Sequence, residues 1–96
     1  MRTTKSPRAV LIWALMVGEG SLRRYWHKHA PKKFTVPQLF ACLVLKEFLR
    51  ADYRKVWRLL RECPELGAAI GLEHVPHFTT LQQASARLLE GRRVQR

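Results

Sequence analysis

Apolar residues recur along this chain at helical spacing, and no stretch shows the alternation of apolar and polar residues that marks a strand. Two stretches, 9–17 and 39–45, are apolar at every position. The second is typical of a central helix that packs on all sides. Because proline suits the first turn of a helix and glycine its end, we predict a helix that starts near Pro7 and ends at Gly18. The pattern predicts an all-α fold, a small bundle of four to five helices.

Capping signals divide the middle of the chain into two further helices. Thr35 and Gln38 fit a capping box, in which two side chains satisfy each other's backbone N–H groups. Val36 precedes a proline, which disfavours helical backbone, so this helix can begin one or two residues later. Asp52 is placed to cap the next helix, over residues 53–63.

The helix over residues 53–63 has two chemically different faces. Its predicted core face follows the i, i+3, i+4, i+7 rule and comprises Tyr53, Val56, Trp57 and Leu60. The opposite side is a basic stripe that suits phosphate contact, with Lys55 beside Arg54, Arg58 and Arg61. The alternative interpretation is a solvated face that Glu62 and Glu65 partly neutralise.

The C-terminal third predicts a short helix, a loop and a longer helix. Residues 65–70 form the short helix, with Gly71 as its C-terminal glycine. A second capping box, Thr79 to Gln82, opens the longer helix, which runs to about Leu89 or Glu90 and ends at Gly91. Its inward side comprises Leu81, Ala84, Ser85 and Leu88, and its outward side Gln82, Gln83, Ala86 and Arg87. A frayed basic tail, residues 91–96, completes a single helical domain over residues 1–96.

The net charge of the chain indicates a polyanionic partner. Eighteen lysines and arginines against seven acidic residues give a net charge of +11. Nucleic acid is the first candidate partner, an anionic membrane surface the second, and an inert basic surface the third interpretation. Within the basic segment 21–33, the residues expected to contact a DNA backbone are Arg23, Arg24, Lys28, Lys32 and Lys33.

The last two long helices suggest a helix-turn-helix-like C-terminal part. In that arrangement one helix crosses the phosphate backbone and the next presents side chains to base edges. The helix that begins at Thr79 and Thr80 is the candidate reader, because Gln82 and Gln83 suit adenine edges and Arg87 suits guanine or phosphate. The alternative is an ordinary amphipathic helix, and the connection between the two helices is longer than a tight turn.

The sequence contains none of the common enzymatic signatures. Asp52 is the only aspartate, and there is no phosphate-binding loop or dinucleotide motif. Two cysteines and two histidines are candidate zinc ligands: Cys42, Cys63, His74 and His77. The two cysteines, however, lack the close spacing of zinc-binding pairs. Buried, reduced cysteines of a cytosolic protein are the preferred interpretation. We expect no enzymatic activity, metal, cofactor or small-molecule substrate.

The N-terminal pattern resembles that of a secretory signal peptide, because the basic residues 1–8 precede the apolar stretch 9–17. This stretch is too short for a bilayer span, which takes about 20 residues. No small-residue cleavage site follows it. A core helix is therefore preferred over a secreted or membrane-associated basic peptide.

Three segments resemble the N-terminal region of bacterial insertion-sequence transposases of the DDE type. They are FTVPQLFACLVLK (Phe34–Lys46), DYRKVWRLL (Asp52–Leu60) and VPHFTTLQ (Val75–Gln82), and the similarity extends over about residues 1–90. None of the three is a catalytic signature. The resemblance implies a helical domain that binds double-stranded DNA at the terminal inverted repeats of a mobile element.

In full-length members of that family, the resemblance implies a catalytic domain with an Asp-Asp-Glu triad and Mg²⁺, which this chain is expected to lack. We therefore expect a DNA-binding fragment, located in the cytoplasm on the nucleoid, that can also pair with itself or with a full-length transposase. The alternative is one part of a split or frameshifted active transposase.

Overall fold

Five helices make up the described part of the chain, which is residues 6–22 and 33–94 of a computed structural model. They are α1 (Pro7–Ser21), α2 (Val36–Leu49), α3 (Tyr53–Glu62), α4 (Pro64–Ala69) and α5 (Phe78–Val94). These residues contain no strand. The prediction of a small all-α bundle is confirmed.

The helix α2 lies at the centre of the bundle. It packs against α1, α3 and α5, while α4 packs against α1 and α3. All five helices contribute to one core, whose buried residues are Leu11, Ala14, Leu39, Ala41, Cys42, Leu45, Val56, Leu60, Leu66, Ile70, Leu81 and Ala84. The fully apolar stretch 39–45 is therefore central, as its pattern predicted.

The capping box at the start of α2 is confirmed. The Gln38 backbone N–H donates to Thr35 Oγ1 at 3.1 Å, and the Thr35 backbone N–H donates to Gln38 Oε1 at 2.9 Å. The helix begins at Val36, without the delay that the following proline allowed. Burial of Val36 and the two reciprocal hydrogen bonds hold it in helical geometry. The Gln38 amide also donates from Nε2 to the Ile70 carbonyl at 3.0 Å, which ties the end of α4 to the first turn of α2.

The predicted end of α1 at Gly18 is wrong, because this helix continues to Ser21. Gly18 lies where α1 comes closest to α2. A Cβ atom at this position would lie 3.1 Å from Phe40 Cδ2 and 3.3 Å from the Pro37 Cα. The glycine therefore serves the close approach of two helices rather than helix termination.

Two of the predicted helix boundaries in the middle of the chain are confirmed. Asp52 Oδ1 accepts the Lys55 backbone N–H at 2.8 Å and caps α3. The helix α4 ends in a Schellman motif, with the Leu72 N–H bonded to the Gly67 carbonyl at 2.9 Å. Gly71 provides the left-handed residue of this motif, with φ of 76°.

The start and end of α5 both differ from the prediction. His77, not Thr79, precedes the first turn: its carbonyl accepts the Leu81 N–H at 3.1 Å and its Nδ1 accepts the Thr79 N–H at 3.2 Å. The proposed capping box at Thr79 is therefore wrong, because Thr79 already lies inside the helix. Gly91 does not end α5, which continues to Val94. A helical glycine costs only about 1 kcal/mol relative to alanine, so it ends a helix only where the backbone turns left-handed.

The sides of α5 agree with the prediction as far as side chains are described. Leu81 and Ala84 are buried, while Gln82 and Gln83 are exposed. Among the described helices, none is long and apolar enough to cross a lipid bilayer.

Two alanine substitutions in α1 test the close contact at Gly18. Gly18→Ala places a methyl group against the α2 backbone, so we expect a loss of about 1–2 kcal/mol in the free energy of unfolding. Gly20→Ala is the matched control, since nothing lies within 4 Å of its Cβ position, and it should gain about 0.5–1 kcal/mol from helix propensity. Urea denaturation followed by circular dichroism measures both. Equal effects would contradict the close approach of α1 and α2.

Candidate nucleic-acid interface

The outward side of α3 is a row of cationic side chains. Val56 and Leu60, which are 0% and 1% exposed, fix the side of α3 that faces the core. Because helical residues turn about 100° per position, the basic residues then point to solvent. Arg54, Lys55, Arg58 and Arg61 are all exposed and form what we call the α3 cationic face.

The acidic residues near the α3 cationic face do not neutralise it by direct pairing. The ion pair found in the described part of the chain joins Lys46 to Glu47 at 3.1 Å, and it lies on α2. Glu62 and Glu65 are exposed, and neither forms an ion pair with a described α3 cation. The α3 cations are thus exposed and have no acidic partner among the described residues, and phosphate contact by this face stays a prediction.

Three rings form an aromatic cluster beside this face, at the point where α5 begins. The ring of Trp57 lies 4.9 Å from that of His77 and 5.3 Å from that of Phe78, centroid to centroid. The rings of His77 and Phe78 are 4.2 Å apart. The cluster joins α3 to the start of α5 through tilted and edge-on ring contacts.

The prediction that Trp57 belongs to the core face of α3 is therefore wrong. Its side chain is only partly buried and is not a member of the hydrophobic core. The residue lies at the border of the buried side, where periodicity alone does not separate a core ring from a surface ring. Tyr53, by contrast, packs against the core as predicted.

Two arginines of the α3 cationic face stack on the aromatic cluster. The guanidinium carbon of Arg54 lies 4.6 Å from the centre of the Phe78 ring, and that of Arg61 lies 4.7 Å from the centre of the Trp57 ring. Stacking on a ring orients a guanidinium without consuming the N–H groups at its edge. These two side chains are thus held in place while their hydrogen-bond donors stay available.

The start of α5 brings further polar side chains next to the cluster. Gln82 lies one helical turn beyond Phe78, on the same side of α5. Thr79, Gln83 and Arg87 are exposed and follow one another at four-residue spacing, whereas Thr80 is half-buried. The Thr79 hydroxyl lies 2.9 Å from His77 Nδ1. The α3 cationic face and the outward side of α5 therefore border the same three rings.

Of the remaining predicted contact residues only Lys33 is described, and it lies on neither α3 nor α5. Lys33 is exposed just before α2, where its Nζ lies 5.9 Å from the centre of the Phe34 ring. The other predicted contacts fall outside the described residues: Arg23, Arg24, Lys28 and Lys32.

The aromatic cluster was not predicted from the sequence. Its members are distant along the chain, since Trp57 lies on α3 and the other two lie just before and at the start of α5. The signal in the sequence was the adjacent pair of rings His77–Phe78, which follows Pro76 and directly precedes the helix predicted to begin at Thr79. Only the packing of α5 on α3 brings the rings together.

The described residues contain no group of three or more histidine, cysteine or acidic side chains that could hold a metal ion. Cys42 is buried in the core, and burial raises the pKa of its thiol to about 12. Desolvation therefore keeps this thiol protonated at neutral pH, which is unfavourable for zinc binding. Cys63 is partly buried, and both cysteines are free.

No protein-family model matches this chain, and neither a curated protein nor a solved structure is similar enough to count as a match. The family resemblance therefore stays a hypothesis. A function for this chain rests on the chemistry that α3 and α5 present.

The position of Trp57 outside the core leads to a stability prediction. Trp57→Ala should lower the free energy of unfolding by about 1–2 kcal/mol, because it removes ring contacts at the surface without opening a core cavity. Leu60→Ala, one turn along the same helix and buried, should cost about 2–5 kcal/mol. Urea denaturation of both variants gives the comparison. A Trp57 variant at least as damaging as the Leu60 variant would place that ring in the core.

Proposed function

We propose that this chain is a DNA-binding module: the all-α N-terminal domain of an insertion-sequence transposase of the DDE type, which binds double-stranded DNA at the ends of the element. The observation that carries the proposal is the α3 cationic face, four exposed cations without an ion pair among the described residues. Such a face attracts a polyanion, and the charge of the whole chain, +11, has the same sign.

In this proposal α3 lies along the phosphate backbone. An arginine guanidinium presents two parallel N–H groups that match the spacing of phosphate oxygens. Arg54 and Arg61 are already oriented by stacking on Phe78 and Trp57, so less side-chain freedom is lost on binding. Phosphate contacts of this kind supply affinity and position the domain without reading the sequence.

The outward side of α5 supplies the base contacts in the same proposal. Glutamine amides pair with adenine edges in the major groove, which is the role proposed for Gln82 and Gln83. Arg87 contacts guanine or phosphate, Ala86 contacts a thymine methyl group, and Thr79 and Thr80 contact the backbone at the start of α5. The aromatic cluster couples the two helices, so that α3 and α5 approach DNA as one rigid surface in a helix-turn-helix-like manner.

The proposal assigns binding, and not strand cutting, to these residues. Cutting would belong to a separate carboxylate-bearing domain with its own Mg²⁺, as the family resemblance implies. A protein with this role would act on the nucleoid in the cytoplasm.

Salt dependence is the first experimental test of the proposal. We expect the purified chain to bind duplex DNA with a log affinity that falls linearly with log salt, by about 0.9 for each phosphate contact. Fluorescence anisotropy with a labelled duplex at several NaCl concentrations measures this slope. A folded chain that binds no duplex at low salt would overturn the proposal.

Substitutions on α3 test its role as the phosphate-contacting helix. The double variant Arg54→Ala/Arg58→Ala should weaken binding evenly across duplex sequences and reduce the slope by about 1.8, the share of two contacts. Arg8→Ala is a control on α1, which packs against neither α3 nor α5, and its slope should stay near that of the unmodified chain. The same loss for each removed charge in both variants, about half as much for Arg8→Ala as for the double variant, would indicate binding through net charge alone.

Substitutions on α5 test the assignment of base contacts. Gln82→Ala/Gln83→Ala should leave the salt slope unchanged and reduce the preference for a selected duplex over a scrambled one by about 1–3 kcal/mol for each lost pair of bonds. Selection from a random-sequence pool followed by competition binding supplies both duplexes. An even loss on all duplexes would move these two side chains from the bases to the phosphates.

A further inference from the structure

The helix α1 carries a large exposed apolar face. Trp13 is 61% exposed, Met16 66% and Val17 39%, although each is a strongly apolar side chain. Ala9 and Gly20 are exposed at the two ends of the same side. We call these five residues the α1 outer face. Exposed apolar side chains grouped on one side of a helix are typical of a site of association.

Two opposite charges lie along one flank of the α1 outer face. Arg8 is in the first turn of the helix and Glu19 near its end, and both are exposed. Their separation corresponds to about three turns of an α-helix, so the two side chains lie on the same flank. Neither forms an ion pair within the described residues.

This arrangement is complementary to itself in one orientation. When two α1 helices pack antiparallel around a two-fold axis near their midpoints, identical flanks lie side by side. Arg8 of each copy then lies within one helical turn of Glu19 of the other, which makes two symmetric pairs of opposite charge. In a parallel pair the charged flanks lie on opposite sides and no such pairing occurs.

The apolar side chains fit the same orientation. In an antiparallel pair Trp13 of one copy lies beside Met16 of the other at the centre, where a thioether against an indole ring is a favourable contact. The small residues Ala9 and Gly20 meet at the two ends and let the helices approach closely. We propose that a second copy of this chain docks on the α1 outer face, with the two α1 helices antiparallel.

The charge of α1 favours a second copy over a membrane surface. Helices that lie in a lipid interface carry lysine and arginine on their polar side. The helix α1 carries one arginine and one glutamate, so its own charges cancel, whereas α3 carries four cations and one glutamate. The α1 outer face is thus apolar and neutral in a chain that is strongly basic.

The proposed dimer does not depend on the DNA-binding proposal. Since α1 packs mainly against α2 and α4, and its outer face points away from the core, docking on α1 leaves the α3 cationic face uncovered. Failure of either proposal therefore leaves the other standing.

A single helix pair forms a weak dimer. The 15-residue α1 is about 22 Å long, so it buries less than the roughly 800 Å² for each partner of a standard interface. Mutual repulsion of two chains of charge +11 weakens the dimer further at low salt. We expect dissociation in the micromolar range and stronger association as salt screens this repulsion, a trend opposite to that of DNA binding.

Sedimentation of the whole chain tests the dimer. We expect a monomer–dimer equilibrium between about 10 µM and about 500 µM protein, tighter at about 0.5 M NaCl than at about 0.05 M. Trp13→Glu should abolish it, because dimerisation would bury a charge. Phe48→Glu, which alters an exposed apolar residue on α2, is the matched control and should leave the equilibrium unchanged. Circular dichroism confirms that both variants are folded.

A charge exchange tests the orientation. Arg8→Glu and Glu19→Arg each create two like-charge pairs in the dimer and should weaken it by about tenfold. The combined variant Arg8→Glu/Glu19→Arg restores opposite pairs and should return to within about threefold of the original dissociation constant. Simple loss of surface charge or of helix stability would not produce this rescue.

Three outcomes would overturn the proposal. The first is a chain that stays monomeric at all these concentrations and salts. The second is a dimer that Phe48→Glu dissociates and Trp13→Glu does not, which would place the interface on α2. The third is Trp13-dependent binding to vesicles of phosphatidylglycerol and phosphatidylcholine in a chain that does not self-associate, which would assign the α1 outer face to a membrane surface.

Discussion

A helix that is apolar on every side is stable in water only when other helices surround it, and α2 imposes this requirement on the whole chain. The helices α1, α3 and α5 pack around it, and every helix contributes side chains to the same core. Because each covering helix faces the core with one side only, its outward side becomes part of the surface of the domain. The chemistry of the protein is therefore distributed over the sides of α1, α3 and α5 that α2 does not bury.

The covering helices present two chemically opposite surfaces. The outer side of α3 carries exposed cations, two of them oriented by the rings of Trp57 and Phe78. The outer side of α1 is apolar and flanked by one charge of each sign. Since α1 packs mainly against α2 and α4, the two surfaces belong to different helices that are not direct packing neighbours. This separation suits a domain that contacts a polyanion with one side and a second protein with another.

Local signals predicted the helix boundaries wherever the stabilising contact is local. The reciprocal bonds of Thr35 and Gln38 and the cap at Asp52 link residues three positions apart, so the sequence alone contains the whole interaction. The predicted helix boundaries were wrong where a residue contacts a part of the chain that is distant in sequence. Gly18 allows α1 to approach α2, and His77 rather than Thr79 opens α5, in a position where its ring also packs on Trp57.

The sequence by itself determined the all-α class, the central position of α2 and the basic, outward side of α3, because each follows from the period of an α-helix and the cost of burying charge. It also determined which side of α5 carries Gln82 and Gln83. Only the tertiary structure decided that Trp57 leaves the core to join His77 and Phe78, that two arginines stack on this cluster, and that Trp13 and Met16 stay exposed. The reason is that periodicity gives the direction of a side chain from its own helix, whereas exposure and ring contacts depend on which other helix, if any, lies in that direction.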